Sequence, residues 1–323
     1  MKAPTETIAH PQVATIERFR GALLGLACGD AVGTTVEFQR RGSFAPVSDM
    51  VGGGPFCLKP GEWTDDTAMA LCLAASLTEC GRFDAKDQMQ RYCRWMESGY
   101  LASNGTCFDI GNTVYQALQE FKRTGEPFSG SNDPQSAGNG CLMRLAPVPM
   151  FFFPDRKVAI AMSGQSSRTT HGALECIEAC RLFGAMLVSA FSGSSKEDIL
   201  FAHGIEVVGS ARLRLVAEGG YRLAVEDNIQ GSGYVVESLE AALWCFLNTD
   251  CFRDAVLLAA NLGRDADTTA AICGQLAGAF YGESGIPYKW RKRVVMSDVI
   301  RAFANKLHDY SLLSGNDHLI SCS

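Results

Sequence analysis

Apolar side chains recur at helical spacing along almost the whole chain. Phe19, Leu23 and Leu26 begin one such stripe, and Val236 and Leu239 lie in another. Spacings of three and four residues place side chains on one face of an α-helix, whereas the strict alternation typical of strands is scarce. The pattern predicts helices at 15–32, 66–80, 86–99, 110–123, 140–147, 155–165, 171–191, 235–247, 252–261, 267–281 and 292–308.

Glycine clusters such as 52–54 and 231–233 mark connections between these helices. None of them is long or biased enough to be a domain linker, and no repeat of 20–50 residues is present. We therefore predict an all-α fold, a compact single-domain orthogonal helical bundle over residues 18–310. A polar leader at 1–17 would precede this domain, and a tail at 311–323 would follow it.

Charge and composition narrow the function classes. The 323 residues include 29 Lys and Arg against 35 Asp and Glu, a net charge of −6 that leaves no cationic excess for nucleic-acid phosphates. No apolar run reaches the ~18 residues that a membrane span needs, and the first residues form no secretory signal. We expect a cytoplasmic monomer that binds neither nucleic acid nor membrane.

Thirteen cysteines are an odd number and form no CxxC pair, so we expect reduced thiols. Cys176 and Cys180 lie one helical turn apart, but no histidine pair accompanies them. The sequence therefore gives no zinc site.

Two acidic clusters stand directly before apolar helices. Thr64, Asp65 and Asp66 form the first, and the second, around Asp265 and Asp267, precedes the apolar run 270–281. Each cluster alone is compatible with helix capping, because a threonine cap and acidic residues suit a helix N-terminus. The same arrangement of Asp and Thr before two different helices suggests instead that both clusters serve one function.

If the two clusters meet, they require positive charge. Each carboxylate pair at about 4 Å would repel by roughly 4 kcal/mol at an effective dielectric constant of 20. The available ligands are all oxygens, which favours Mg²⁺ or Mn²⁺ over Zn²⁺ or copper. Adjacent Asp65 and Asp66 could reach two ions about 3.5–4 Å apart. The sequence thus suggests a binuclear metal site that carries out hydrolysis.

Other polar residues lie near glycines. Asp30 interrupts the first apolar stripe, where an acidic side chain needs a partner or a task. The glycines around Asn139 could bring N–H groups to an anion, although Asn-Gly is also a common turn. His171 is either a structural histidine or a ligand-contacting one.

Taken in order, the motifs GDAVG with Glu37, WTDDT, DIGN, GNGCLMR, TH and DADTTA resemble the ADP-ribosylglycohydrolase family over about residues 18–283. The resemblance is to its arginine-specific branch, which includes the dinitrogenase reductase-activating glycohydrolase. It implies an all-α fold with two Mg²⁺ or Mn²⁺ ions at the base of a central cleft. It also implies hydrolysis of the bond between ADP-ribose and an arginine side chain of a modified protein.

The resemblance further implies roles for individual residues. The metal ligands would be Thr64, Asp65, Asp66, Asp265, Asp267 and Thr268, and the catalytic carboxylates Glu37, Asp65, Asp66, Asp109 and Asp267. The general base stays open between Glu37 and an aspartate of the metal set. Substrate contacts would come from Asp109, Gly111 and Asn112 at the distal ribose, Gly138, Asn139 and Gly140 at the diphosphate, His171 near ribose or phosphate, and Tyr234 stacked on adenine.

Arg264 departs from the family pattern, in which a small residue is common at this position. It could contact phosphate or the modified protein, or simply line the cleft.

Two other functions remain to be weighed. The chain could be an immunity protein that binds and occludes an ADP-ribosyltransferase toxin, with the leader 1–17 as docking arm and hydrolysis as a second activity. A purely structural role is disfavoured, because such a protein has no need for the intact Asp65, Asp66, Asp265 and Asp267.

Overall fold

The computed structural model describes residues 13–320, with side chains through residue 313. All regular elements in this part of the chain are helical, and its β-bridges are isolated pairs rather than strands. This confirms the predicted all-α class. The α-helices are α1 (Thr15–Gly33), α2 (Asp65–Cys80), α3 (Ala85–Ser98), α4 (Asn112–Thr124), α5 (Pro147–Phe152), α6 (Arg156–Arg168), α7 (Leu174–Phe191), α8 (Lys196–Phe201), α9 (Ala211–Ala217), α10 (Val235–Leu247), α11 (Phe252–Asn261), α12 (Ala266–Gly285), α13 (Tyr288–Arg293) and α14 (Ser297–Ile320).

Helices α1 and α12 pack against each other in antiparallel orientation at unusually close range. A Cβ atom added at Gly29 would lie 2.1 Å from the carbonyl oxygen of Ala270, and one at Gly33 would lie 2.3 Å from that of Ala266. Only glycine permits such an approach of two backbones. The register therefore brings the C-terminal end of α1 beside the N-terminal end of α12, where the second acidic cluster lies.

The prediction of a helix at 140–147 was wrong. Residues 140–144 form consecutive turns, and α5 begins at Pro147. Cys141, Leu142 and Leu145 are all buried, so the apolar pattern reflects burial on every side rather than one helical face. Pro147 stands at the first helical position, where its missing N–H costs nothing.

Other differences concern short or terminal elements. The sequence pattern missed α8, α9 and α13, which have six or seven residues each. Residues 292–308 are divided between α13 and α14 rather than forming one helix. Such short helices carry too few turns for a periodic signal.

The predicted termini fall partly outside the described residues. Residues 1–12 of the predicted leader and residues 321–323 of the predicted tail lie outside the described residues. Residues 15–17 already form the first turn of α1, and α14 continues to Ile320. None of the helices within residues 13–320 combines the length and apolar character needed to cross a bilayer.

Candidate active site

The two acidic clusters meet, although about two hundred residues separate them in the chain. The Thr64 hydroxyl lies 3.2 Å from Oδ2 of Asp66 and 3.5 Å from Oδ2 of Asp267. The Thr268 hydroxyl lies 3.4 Å from the same Asp66 oxygen. Asp65 and Asp66 open α2, while Asp265 and Asp267 flank the start of α12. Four predicted metal ligands are thus in direct contact, and Asp65 and Asp265 line the same cavity as Thr268.

Asp30 connects α1 to the first cluster. Its Oδ1 accepts hydrogen bonds from the backbone N–H and the hydroxyl of Thr64, at 2.9 and 3.0 Å. Its Oδ2 accepts from the backbone N–H and the hydroxyl of Thr67, at 3.0 and 2.6 Å. Burial raises the pKa of Asp30 to about 6, and these four bonds oppose the shift. The sequence analysis noted this carboxylate but assigned it no role. The structure shows that it caps the N-terminus of α2 from the neighbouring helix α1.

Glu37 and Asp109 complete the acidic group. Carboxylate oxygens of Glu37, Asp109 and Asp267 lie within 4.8 Å of one another, close enough to share a metal ion. Glu37 follows the short 3₁₀ helix Thr34–Val36, and Asp109 has a left-handed backbone with φ of 60°. Two buried oxygens of the group, Oε2 of Glu37 and Oδ1 of Asp66, have no hydrogen-bond partner in the described part of the chain. A buried carboxylate oxygen without a donor favours a bound cation.

Burial and mutual repulsion raise the pKa values of these carboxyls, so that they bind protons more readily than usual. Burial, followed by the charge of Asp109, raises the pKa of Glu37 to about 9. Burial raises the pKa of Asp109 to about 7. The pKa values of Asp65, Asp66 and Asp267 are raised well above the ordinary range, first by burial and then by neighbouring carboxylates. A cluster of buried carboxyls with raised pKa values is typical of functional sites.

A cavity of about 410 Å³ opens above this acidic group. Of the predicted substrate residues, those in its lining are Asp109, Gly111, Asn112, Gly138, Asn139, Gly140 and His171. The acidic group and the predicted nucleotide-binding residues therefore face one space.

Several donors of the glycine loop, residues 138–140, already form hydrogen bonds within the protein. The side-chain amide of Asn139 donates to Oδ2 of Asp265 at 2.8 Å. The backbone N–H groups of Gly138 and Asn139 donate to the carbonyl oxygens of Ser136 and Gly233, at 2.7 and 3.1 Å. Asn139 therefore positions a carboxylate, a role that sequence reasoning missed.

His171 is buried beneath this loop. Its Nδ1 lies 2.8 Å from the hydroxyl of Thr170, and a Cβ atom at Gly140 would lie 2.9 Å from its Cε1. Burial lowers the pKa of His171 to about 4, so the ring is neutral at physiological pH. One reason for glycine at position 140 is thus the space that this ring occupies.

Tyr234 lies at the edge of the cavity rather than in its lining, to which Gly233 belongs. Its hydroxyl donates to Oε2 of Glu175 at 2.7 Å, and the guanidinium of Arg212 lies 5.4 Å from the ring centroid. These contacts fix the ring, and stacking on adenine stays a prediction. Cysteines of the described residues are free thiols, as expected.

Fold and site together define an all-α protein with a buried carboxylate centre suited to divalent cations. The family model for ADP-ribosylglycohydrolase matches residues 11–316, and the chain belongs to this family. Two similar relatives are both named ADP-ribosylarginine hydrolase Tri1. The protein from Serratia proteamaculans (strain 568) is 44% identical over 92% of this chain and 80% of its own length, and that from Pseudomonas putida (strain GB-1) is 47% identical over 91% and 78%.

A more distant relative is the ADP-ribosyl-[dinitrogen reductase] glycohydrolase of Rhodospirillum rubrum, which is 32% identical over 93% of this chain and 98% of its own. A solved structure titled ADP-ribosylglycohydrolase-related protein complex superposes with a TM-score of 0.80 at 41% identity. The match covers 92% of this chain and 99% of that one.

Proposed function

We propose that this chain is a metal-dependent hydrolase that removes ADP-ribose from modified arginine side chains of proteins. The observation that carries the proposal is the convergence of Asp65, Asp66, Asp265 and Asp267, with Glu37, beside a cavity lined by the glycine loop. The names of the two Tri1 relatives support arginine as the acceptor.

The donor set fits divalent cations of the Mg²⁺ or Mn²⁺ type. It consists only of carboxylate and hydroxyl oxygens, and Oδ1 of Asp66 has no hydrogen-bond partner among the residues that the structure describes. Two ions would be held by Thr64, Asp65, Asp66, Asp265, Asp267 and Thr268. When bound, the ions would supply the positive charge that orients sugar hydroxyls and acidifies a water molecule.

Glu37 is the residue we assign as general base. In an N-glycoside the anomeric carbon becomes positively charged as the bond to nitrogen breaks. Glu37 lines the cavity, and a carboxylate oxygen of Glu37 lies within 4.8 Å of those of Asp109 and Asp267. Its carboxylate is therefore placed to take a proton from a water molecule held there. Nearby positive charge lowers the pKa of a carboxyl, which would return Glu37 to the ionised form that a base requires.

The bonds and charges then balance without further reactants. A C–O bond forms between water and the anomeric carbon, the C–N bond to arginine breaks, and the water proton passes to Glu37. The arginine linkage is a guanidinium before cleavage, so the group leaves as neutral guanidine with the electron pair of the broken C–N bond. It then takes the proton held by Glu37 and becomes a guanidinium, which Asp109 in the cavity lining attracts. The remaining N–H groups of the glycine loop suit the diphosphate, because they add local positive charge to a chain of net charge −6.

The test uses an arginine peptide carrying ADP-ribose, with mass spectrometry to follow release. We expect full activity with Mg²⁺ or Mn²⁺, loss on chelation, and loss of orders of magnitude in Asp65→Asn and Asp267→Asn with helical circular dichroism intact. Asp227→Asn, which changes an exposed carboxylate, serves as matched control and should remain active. Undiminished turnover after exhaustive chelation would contradict the proposal.

A further inference from the structure

Phe38 is exposed at the mouth of the acidic cavity. Two thirds of its surface (66%) is open to solvent, although phenylalanine is among the residue types most often buried. Its backbone is left-handed, with φ of 62°, a conformation that is a genuine outlier for a bulky side chain. Such strain persists only where surrounding structure imposes it, and it is concentrated at functional sites.

Two backbone hydrogen bonds hold Phe38 in this conformation. The N–H of Phe38 donates to the carbonyl oxygen of Arg264 at 2.6 Å, and the N–H of Arg264 donates to that of Gln39 at 2.6 Å. Arg264 itself has φ of 59° and directly precedes Asp265. The loop that presents the Phe38 ring is therefore tied to the loop that carries part of the acidic group.

Two phenylalanines are chain neighbours of the acidic residues. Phe38 follows Glu37 in the chain, and Phe108 precedes Asp109. The Phe38 ring lies 6.3 Å from that of Phe56, which lies 5.2 Å from that of Phe108. Carboxylate oxygens of Glu37, Asp109 and Asp267 share one small volume, whereas Phe38 lies in the cavity lining with its side chain largely exposed.

An aromatic face beside a row of carboxylates suits a flat, delocalised cation. Guanidinium groups stack on aromatic rings and are weakly hydrated, which distinguishes them from ammonium groups and from neutral alcohols. Phe38 lines the same cavity as Glu37 and Asp109, and its exposed ring is accessible to a group that leaves this cavity.

We infer that the ring of Phe38 binds the guanidinium of the arginine that carries ADP-ribose and thereby favours arginine over neutral acceptors. This inference rests on the proposed function, because it requires that the arginine linkage be cleaved. Phe38 would be a specificity-determining residue, while ADP-ribose itself would be held by the cavity beneath it.

The test compares Phe38→Ala, Phe38→Leu and Phe38→Trp on two substrates, ADP-ribosylagmatine and an ADP-ribosylarginine peptide. Agmatine retains the guanidinium but lacks the peptide backbone. We expect Phe38→Ala and Phe38→Leu to lower kcat/KM on both substrates by about 2- to 30-fold, the range of a cation–π contact. Phe38→Trp should restore wild-type values.

Two controls accompany these rates. The affinity for free ADP-ribose, measured by calorimetry, should stay unchanged in all three variants, since the product lacks a guanidinium. Leu223→Ala truncates an apolar side chain that is 95% exposed and belongs to no part of the site, and it should leave every value at the wild-type level.

The outcomes separate the inference from the proposed function. Wild-type kcat/KM in Phe38→Leu would overturn the inference, because the aromatic face would then be dispensable. An equal loss of ADP-ribose affinity would also overturn it, since Phe38 would then support the loop. Failure of the wild-type protein to cleave either guanidinium-linked substrate would overturn the proposed function and the inference together.

Discussion

The buried acidic group predicts that the cation-free protein loses stability as the pH rises above neutrality. In the folded protein the pKa of Glu37 is raised to about 9 and that of Asp109 to about 7, whereas both carboxyls titrate near ~4 in an unfolded chain. The folded state therefore binds more protons than the unfolded state between these values. The stabilising contribution is complete below pH ~4 and is lost as the pH rises through the folded pKa values.

The magnitude follows from the number of extra protons in the folded state. Each one lowers the free energy of unfolding by about 1.4 kcal/mol per pH unit. From pH 7 to 8 Glu37 stays protonated in the fold and contributes this full amount, and Asp109 adds a fraction because it is half titrated at pH 7. We expect these two carboxyls to cost about 1.7 kcal/mol over this interval. The raised pKa values of Asp65, Asp66 and Asp267 act in the same direction.

The assay is urea unfolding with excess chelator at pH 7.0, 7.5 and 8.0, followed by circular dichroism. His171 titrates well below this interval because its pKa is lowered to about 4. Glu37→Gln should reduce the slope by about 1.4 kcal/mol per pH unit, while Glu126→Gln, at an exposed position, should leave it unchanged. Equal or increasing stability of the cation-free protein from pH 7 to 8 would refute the reasoning.

Three other results are expected. Asp30→Asn should lower the free energy of unfolding by about 1–3 kcal/mol, because an amide nitrogen cannot accept the two hydrogen bonds from Thr67. The affinity for Mn²⁺, measured by calorimetry, should fall as well. An unchanged affinity would show that Asp30 does not support the metal site. Tyr234→Ala should weaken ADP-ribose binding about 5- to 150-fold if adenine stacks there, whereas unaltered affinity would place adenine elsewhere. If the chain also occludes an ADP-ribosyltransferase toxin, pull-down should survive in a cation-free Asp65→Asn variant, and loss of capture on removal of the cations would argue against occlusion.

Local sequence could predict the helices and the two acidic helix starts, because both depend on neighbouring residues. Long amphipathic stretches such as 235–247 were predicted within their observed bounds. Burial from all sides removed that signal at Cys141 and Leu142, where turns replaced the expected helix. Periodicity reports one buried face and fails where every face is buried.

The meeting of the two clusters could be suspected but not located. It depends on the register of α1 against α12, which pairs Gly29 with Ala270 across most of the chain. The partner of Asp30 and the bond from Asn139 to Asp265 are tertiary contacts with no spacing signal. Phe38 has the same difficulty, because a phenylalanine next to a buried glutamate gives no sign of its exposure or its left-handed backbone.

The most direct test of the proposed function compares two linkages on the same peptide scaffold. The protein, loaded with Mg²⁺ or Mn²⁺, is incubated with ADP-ribosylarginine and ADP-ribosylserine peptides, and the initial rate of ADP-ribose release is measured for each. Under the proposed function, the carboxylate of Asp109 in the cavity lining would attract a cationic leaving group but would give no such attraction to a neutral alcohol. We therefore expect the arginine linkage to be cleaved far faster, with a severe loss in Asp109→Ala. Equal rates on both linkages, or full activity of Asp109→Ala, would contradict this account.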